Sequence, residues 1–569
     1  MSWIISKGKC AADQSLSHDG RYHITYDKSE SIVRGDITVI VSGYIIPRLE
    51  TGDQYPGLSG PELVARLLED FGEDFICRIK GIFLLIITDR TGFRVYCDTH
   101  GMGRFFYWQA GDDFIFSDRI DPVRSYCSAE PDTENIALYS LTEHFIPGMT
   151  AFRGVSQSMP ASGVAYDGTL RTSVYWDLRE LPEVRRENRD INFYAERWKQ
   201  LIRGYLNISD SGTVNLTLTG GSDSRMVLAG LVANGIRPSA FTYGDPASGD
   251  AVIAGKLAGR LGLDHAVHFF PDLSSAWQKE IFLRLAEDGD TLINLHRAHR
   301  YQAALNEKER NPRTDIIFTG LMGGEYLRGP RYDGYIISEY FRETLSGKER
   351  LNLALRMLNE RSFEINTLDR HLLNDRLEQL AELFRGRKKE KEFRLAHYIY
   401  GCAHHYQDTR IYSLLFRQVA NPFMDPDFLE MIAASGDICF RRSASLRNLL
   451  WPSRFQVMIT QKLMPAVSDI PYGKRGLYTA IDLTEKPHQY FIKRLRSLAG
   501  QKRYPPSFIY GEWMKEFVRR EFDQLSPEVS GLFRVKEINE RLLGTAAGMS
   551  EKQWHYYTNP VNLSQIFKK

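Results

Sequence analysis

The pattern of apolar and polar positions in the first stretch of the chain, up to about residue 125, is one of short β-rich runs separated by turn residues. The predicted strands are Ile37–Val41, Gly81–Ile87, Phe93–Cys97, Phe105–Trp108 and Phe114–Phe116. A helix is predicted at Pro61–Phe71, because Leu63, Val64, Leu67 and Leu68 recur on one face. The pattern predicts an antiparallel α+β domain.

From about residue 190 the pattern changes to alternating strands and helices. The predicted order is a helix at Phe193–Leu206, a strand from Val214, a helix at Ser224–Ala233, a strand at Ala240–Tyr243, a helix at Ala251–Leu261, and strands at Ala266–Phe270 and Asp315–Thr319. Such alternation predicts a parallel doubly wound sheet, which binds ligands at the carboxyl ends of its strands. Beyond about residue 340 the spacing is mostly helical, as at Leu351–Glu360 and Leu373–Phe384.

Composition is that of an ordinary globular protein. The chain has 569 residues, of which 43% are hydrophobic and 25% charged, and a length of about 150 residues per domain predicts two or three domains. A net charge of +2 gives no reason to expect nucleic acid or a membrane as partner. The six cysteines form no C-x-x-C pair, which predicts buried free thiols. No apolar signal-peptide stretch opens the sequence, so a cytoplasmic enzyme is expected.

The strongest candidate chemistry lies at Val214–Arg225, VNLTLTGGSDSR, where an apolar run stops, two glycines follow and a helix begins. A strand that enters a helix through a glycine turn presents N–H groups at the positive end of the helix dipole, which favours phosphate. We interpret the stretch as an ATP site in which Asp223 can hold Mg²⁺. An ordinary capped turn is the alternative. The candidate phosphate-binding residues are Leu218, Thr219, Gly220, Gly221, Ser222, Asp223 and Ser224.

Four motifs follow one another along the chain: TGGSDS at Thr219–Ser224, FTYGDPASGD at Phe241–Asp250, FTGLMGGEYLRG at Phe318–Gly329 and NPFMD at Asn421–Asp425. They resemble the asparagine synthetase family, whose corresponding segments include SGGxDS, SGDGGDELFGG and R-x-PFLD. Its relatives that need no ammonia, the β-lactam and lasso peptide macrolactam synthetases, are similar in type. The resemblance covers nearly the whole chain. It implies a glutaminase-like (Ntn-type) α+β sandwich over residues 1–185 and a doubly wound PP-loop ATP pyrophosphatase (synthetase) domain with many helices over residues 186–569.

The resemblance also implies roles for residues beyond the glycine turn. Tyr243 would line the adenosine side, with Thr319 and Gly320 beside the nucleotide. Lys474, within IPYGKRG, would stabilise charge near the α-phosphate as a catalytic residue, with Lys462 and Arg475 as its nearest rivals. Asp250 and His265 are interpreted as structural, a helix cap and a strand start.

The acidic side of the site departs from the family. A metal-ligand aspartate and a second acidic residue of the family correspond here to Gly324 and Leu321. Glu325 remains as a candidate for both catalysis and metal binding, together with Asp223, although it could equally be a helix-start acid. Further candidates for a base or a metal ligand are Tyr326, Glu287 and Asp288.

The N-terminal residues depart from the family as well. Members that hydrolyse glutamine begin MCGI, and the exposed cysteine is the nucleophile, whereas this chain begins Met1-Ser2-Trp3-Ile4. Val41–Tyr44 stands where the family shows an NGE motif. The resemblance therefore implies a glutaminase-like domain that does not hydrolyse glutamine.

These observations predict an ATP-dependent ligase that adenylates a carboxylate, releases pyrophosphate, and lets an amine on the substrate itself displace AMP. Lactam or macrolactam formation in peptide or specialised-metabolite biosynthesis is the expected setting. ATP and Mg²⁺ are the expected cofactors, and a small-molecule or peptide substrate and an enzyme of the same pathway are the expected partners. The alternatives are an ammonia-using asparagine synthetase-like amidotransferase and a non-catalytic binding protein.

Overall fold

The computed structural model describes two parts of the chain, which we call the first part (residues 3–181) and the second part (residues 190–567). The described ranges are 3–7, 15–18, 22–26, 30–181, 190–207, 212–270, 280–281, 283–285, 293–294, 297–328, 345–386, 388–434, 454–473, 478–498, 504–505, 512–544 and 551–567.

The described residues of the first part form two six-stranded antiparallel sheets. Their strands are β1 (Trp3–Ser6), β2 (Ser15–His18), β3 (Tyr22–Tyr26), β4 (Glu30–Arg34), β5 (Ile37–Pro47), β6 (Ile79–Thr88), β7 (Phe93–Cys97), β8 (Phe106–Ala110), β9 (Asp113–Ser117), β10 (Ser156–Gln157), β11 (Ser162–Tyr166) and β12 (Leu170–Val174). The sheet orders are β10-β8-β9-β1-β3-β2 and β12-β11-β7-β6-β5-β4. The predicted antiparallel α+β organisation is confirmed here.

Apolar side chains from the two sheets form one core cluster, in which Ile5 and Phe116 of the first sheet lie with Ile86 and Val95 of the second. The helices of the first part are α1 (Leu49–Gly52), α2 (Gly60–Phe71), α3 (Ile120–Tyr126) and α4 (Thr133–Thr142). The apolar stripe of α2 packs on the opposite face of the second sheet. Both faces of that sheet are therefore covered, which explains its continuous apolar run at Phe83–Ile87.

The second part contains a five-stranded parallel sheet. Its strands are β13 (Val214–Thr217), β14 (Ser239–Tyr243), β15 (His265–His268), β16 (Ile316–Phe318) and β17 (Gln418–Ala420), in the order β15-β14-β13-β16-β17. The chain builds outward from β13 to β15 and then returns to the other side of β13, so the direction of winding changes between β13 and β16. The predicted parallel sheet is confirmed, with β17 as an additional strand.

Most of the second part outside this sheet consists of helices. They are α5 (Ile191–Leu206), α6 (Ser222–Ala233), α7 (Gly249–Leu261), α8 (Ala298–Arg310), α9 (Gly323–Arg328), α10 (Gly347–Glu360), α11 (Arg370–Leu383), α12 (Lys388–Leu395), α13 (His405–Ser413), α14 (Pro426–Ala434), α15 (Arg454–Leu463), α16 (Ala480–Thr484), α17 (Pro487–Leu498), α18 (Glu512–Phe522), α19 (Pro527–Ser530), α20 (Val535–Gly544) and α21 (Glu551–Phe567). A π-helical segment, Ala396–His404, joins α12 to α13.

The two parts share their largest hydrophobic core. One continuous cluster contains Ile136 of α4, Leu228 of α6 and Phe363, which follows α10. Polar contacts cross the same boundary, since the hydroxyl of Tyr44 donates to the carbonyl of Val419 at 2.8 Å. Each part thus covers apolar surface that the other would expose to water.

Four cysteines fall within the described residues, and all four are free. Cys97 and Cys402 are buried as predicted, whereas Cys77 is exposed and Cys127 is half-buried, so the prediction of burial is wrong for Cys77. Cys10 and Cys439 lie outside the described residues. Among the helices that the structure describes, none has the length and apolar character needed to cross a bilayer.

Candidate functional site

The glycine turn after β13 lies at the point where the winding of the parallel sheet reverses. β13 ends at Thr217, and α6 begins at Ser222 with Gly221 as its N-cap. Leu216 is paired in register with Phe318, so the segments that follow β13 and β16 leave the sheet side by side. Sheets of this type bind ligands in the crevice at that position.

A second glycine turn, after β16, packs against the first. A Cβ added at Gly320 would lie 2.7 Å from the backbone nitrogen of Ser224, and one at Gly323 would lie 2.9 Å from the Cβ of Asp223. Neither position has room for a side chain. The structure therefore brings Gly320 to the loop, where the sequence predicted it, and glycine is required for the contact.

The hydroxyl groups predicted to bind phosphate are engaged in hydrogen bonds, two of them within the loop and that of Ser222 with α15. The N–H of Thr219 donates to Oγ of Ser224 at 3.1 Å, and the N–H of Gly221 donates to Oγ1 of Thr219 at 3.2 Å. Oγ of Ser222 donates to Oε1 of Gln456 at 3.0 Å. The first N–H groups of a helix have no acceptor in the helix, so the anion-binding capacity of the loop comes from the backbone at the start of α6.

Asp223 is paired with an arginine rather than open to a cation. Nη2 of Arg328 donates to Oδ2 of Asp223 at 3.0 Å, and Nε2 of Gln456 donates to Oδ1. Burial lowers the pKa of Arg328, but the carboxylates of Asp223 and Glu325 outweigh this effect and raise it overall. Because both oxygens of Asp223 already accept hydrogen bonds from these groups, the arrangement does not fit Mg²⁺ on this carboxylate.

Glu325 is half-buried in α9, and no contact in the described part of the chain joins it to Asp223. The predicted pairing of the two as metal ligands therefore has no support in this geometry. The neighbouring Tyr326 is fully buried, and its hydroxyl lies 2.8 Å from Nε2 of His100 and 3.3 Å from Nδ1 of His397. Burial raises the pKa of Tyr326 well above its usual value. The phenol stays protonated, which argues against Tyr326 as a base.

The other predicted nucleotide residues lie at the same edge of the sheet. Tyr243 is the last residue of β14, with the guanidinium of Arg300 5.9 Å from its ring centroid. The hydroxyl of Thr319 donates to Oδ1 of Asn421, and its N–H donates to the carbonyl of Ala420 at 3.0 Å. Thr319 thus links the ends of β16 and β17, and its hydroxyl has a structural role in this contact.

Two structural roles were predicted for residues near the site. His265 is the first residue of β15, as predicted. Asp250 lies in the first turn of α7. The N-cap is Ser248, whose Oγ accepts a hydrogen bond from the N–H of Ala251. The prediction of Asp250 as the cap is therefore wrong, because the helix begins two residues earlier than the apolar spacing suggests.

Several candidates lie outside the described residues: Lys474, Arg475, Glu287 and Asp288. The residue before Lys474 is described, and the N–H of Gly473 donates to the carbonyl of Gly220 at 2.7 Å. The chain therefore reaches the glycine turn immediately before Lys474. Lys462, its rival, lies exposed on α15.

Arg225 fixes the approach of that segment and was not predicted. Its guanidinium donates to the carbonyls of Ile470 at 3.0 Å and Pro471 at 2.6 Å, and lies 3.7 Å from the ring centroid of Tyr472. Arg225 is itself fully buried. The sequence feature that could have indicated this role is the position of Arg225, directly after the Ser-Asp-Ser triplet and inside an otherwise apolar helix.

A second polar cluster near the sheet edge contains His404, His405 and Asp408, whose ligand atoms are close enough together to surround a metal ion. Asp408 also accepts hydrogen bonds from the guanidinium groups of Arg297 and Arg300. Burial raises the pKa of Asp408, but the two arginines outweigh this and hold it well below its usual range. Two cations on the carboxylate disfavour a third, so we interpret the cluster as structural.

A polar cavity of about 280 Å³ lies between the two parts, and its lining includes none of the glycine-turn residues. Arg48, which lines it, pairs with Asp427 at 2.8 Å and with Glu430 at 2.5 Å. Since Arg48 holds both Asp427 and Glu430, these two carboxylates are engaged in ion pairs, and we take the glycine turns as the stronger candidate.

No family model matches this chain, and no curated protein is similar to it in sequence. The solved structures that align with it include an allosteric regulatory enzyme of purine biosynthesis and a glutamine phosphoribosylpyrophosphate amidotransferase from B. subtilis in complex with ADP and GMP. The identities are 9% and 10%, with 47% and 62% of this chain and 74% and 82% of those chains covered. The TM-score is 0.20 in both alignments, too low to transfer a fold or an activity.

Proposed function

We propose that the chain is an ATP-dependent amide-bond-forming ligase that activates a substrate carboxylate as an acyl adenylate. The observation that carries this proposal is the meeting of two glycine turns where the parallel sheet reverses its winding, with Gly320 packed against the backbone of Ser224. A helix N-terminus at such a position suits a phosphate chain. Residues 186–569 would then form a PP-loop ATP pyrophosphatase domain, and the first part a glutaminase-like domain.

In this reaction ATP supplies the adenylyl group that activates the carboxylate, with pyrophosphate as the leaving group. The N–H groups at the start of α6 would hold the leaving phosphates, and the glycine turn would let the backbone approach them closely. Lys474 would stabilise negative charge at the α-phosphate and acyl group. The approach of Gly473 to Gly220, and the hold of Arg225 on the preceding segment, support this role for Lys474.

The first part supports an amine carried by the substrate rather than ammonia from glutamine. Val41–Tyr44 lies within β5, and Gly43 adopts φ +97° with its missing Cβ position 2.2 Å from the carbonyl oxygen of Ile82. This segment pairs along its whole length with β6, and it contains no amide or carboxylate side chain that could hold the head group of glutamine. The amine would displace AMP from the acyl carbonyl and form a lactam or another amide.

The test is to incubate the protein with ATP, Mg²⁺ and a panel of amino acid-like and peptide carboxylates. Release of AMP and pyrophosphate is expected, whereas release of ADP and phosphate would contradict the proposal. Stimulation by ammonium with aspartate would point to the amidotransferase alternative. Asp223→Ala separates a ligase from a binding protein, because a ligase should lose turnover whereas a binding protein should keep its partner.

A further inference from the structure

The guanidinium of Arg328 lies over the N-terminal turn of α6. Nη2 contacts both carboxylate oxygens of Asp223, at 3.0 and 3.3 Å, and Nη1 lies 3.5 Å from Oγ of Ser222. Arg328 is the last residue of α9, where a cation suits the negative end of the helix dipole, and it faces the positive end of α6. This side chain joins the two glycine turns.

The position of the guanidinium depends on Gly324. A Cβ at Gly324 would lie 2.3 Å from Nη2 of Arg328 and 3.2 Å from its Cζ. A carboxylate at position 324, which the resemblance to the synthetases leads one to expect, and the Arg328–Asp223 pair therefore exclude each other. The absence of an acidic residue at position 324 is therefore what allows Arg328 to reach Asp223.

The charges at this position suit an anion better than a metal ion. Arg328 pairs with Asp223 and also interacts electrostatically with Glu325, and the dipole of α6 adds partial positive charge at the same place. A divalent cation could bind Asp223 only if the guanidinium moved off the carboxylate. The cation and the displaced guanidinium would then lie a few ångströms apart, where two positive charges repel strongly. A phosphate chain would meet favourable charge from both the helix and the arginine.

We propose that Arg328 takes the place of a metal ion held by Asp223 and binds the pyrophosphate portion of the nucleotide directly. Its planar set of five N–H donors suits phosphate oxygens as well as carboxylates. Asp223 then orients the guanidinium instead of coordinating a metal. This inference rests on the proposed function, since it requires phosphates at the loop.

The test is calorimetric titration of the protein with inorganic pyrophosphate, once with Mg²⁺ and once with EDTA. The wild-type protein should bind with similar affinity in both conditions. Arg328→Gln should weaken binding in EDTA by about tenfold or more, the loss expected for hydrogen bonds to a charged group. Arg328→Lys keeps the positive charge but not the planar set of N–H donors. Its affinity for pyrophosphate in EDTA should lie between those of the wild type and Arg328→Gln.

Gly324→Ala provides an independent test that leaves the arginine in place. Its methyl group would meet the far end of a flexible side chain, so the guanidinium should move aside without unfolding the protein, and pyrophosphate affinity in EDTA should fall as for Arg328→Gln. Gly255→Ala, on α7 with open space around the added methyl group, is the matched control and should bind as the wild type does.

The outcomes separate this inference from the proposed function. If the wild type bound pyrophosphate only in the presence of Mg²⁺, and Arg328→Gln bound it equally well, the role of Arg328 would be overturned. The proposed ligase function would not be affected by that result. Absence of binding of both ATP and pyrophosphate in either condition would overturn both. Retention of wild-type affinity by Gly324→Ala in EDTA would also contradict the inference.

Discussion

Nζ of Lys80 lies 2.8 Å from Oδ2 of Asp425, and both side chains are almost completely buried. Lys80 is in β6 of the first part, whereas Asp425 ends the NPFMD motif of the second. The hydroxyl of Tyr205 also donates to Oδ2 of Asp425 at 2.8 Å, and Asp427 lies 2.8 Å from the same ammonium. The motif therefore serves, in this structure, as an attachment point between the two parts.

Removing the ammonium from this cluster should destabilise the protein strongly. Lys80→Met would leave Asp425 without its counter-ion in the interior, which typically costs about 3–5 kcal/mol. The urea midpoint should fall accordingly. Arg171→Met, which breaks the exposed pair with Asp167, should change the midpoint little. Equal effects of the two substitutions would contradict a clamping role for Lys80.

The buried histidines should make stability depend on pH. Burial lowers the pKa of His397 to about 4, and that of His100 well below its usual value. The unfolded chain takes up these protons near pH 6.5 and the folded chain does not, so stability should be fully present above about pH 6.5 and fall as the pH drops toward 4. For His397 alone the loss amounts to about 3 kcal/mol.

The measurement is the urea midpoint at pH 7.5 and pH 5.0 for the wild type and His397→Asn. The variant should lose less stability between the two values, because it has one buried imidazole fewer to protonate on unfolding, although His100 remains. His371→Asn removes an exposed imidazole on α11 and should follow the wild type. An identical pH response in all three proteins would argue against this explanation.

Forcing the two glycine turns apart should abolish nucleotide binding. Gly320→Ala would place a methyl group 2.7 Å from the backbone nitrogen of Ser224, where backbone rather than a flexible side chain must move. A loss of about 1–3 kcal/mol in stability is expected from the overpacking, with no measurable binding of ATP. Gly259→Ala on α7 has open space and should keep ATP binding. Normal binding by Gly320→Ala would show that the contact is dispensable.

Lys474 should matter for turnover more than for binding. Removing one group that stabilises transition-state charge costs about 100- to 1,000-fold in kcat, so Lys474→Ala should slow AMP release by that order with little change in the Kd of ATP. Lys462→Ala, on the exposed face of α15, is the matched control. Equal kcat values for the two variants would contradict a catalytic role for Lys474.

Elements with strong local signals were predictable from the sequence. The strand Phe93–Cys97 was predicted with its observed bounds, and α6 was predicted two residues short, because Ser222 and Asp223 carry no apolar periodicity. β17 was missed, since Gln418–Ala420 is too short to show a pattern and is defined by its pairing with β16. The sequence located the glycine turn, but the role of Arg328 depends on a contact with Asp223, 105 positions away.

The joint core has a consequence for the order of synthesis. The hydroxyl of Tyr44 finds its acceptor at Val419, and Lys80 finds its carboxylate at Asp425, both several hundred residues later in the chain. At about 5–20 residues per second on the ribosome, the first part waits roughly tens of seconds for these partners. During that interval the apolar face of the first part and the ammonium of Lys80, which is buried in the folded protein, are exposed to water. The nascent chain should therefore be a substrate for chaperones until α14 has emerged.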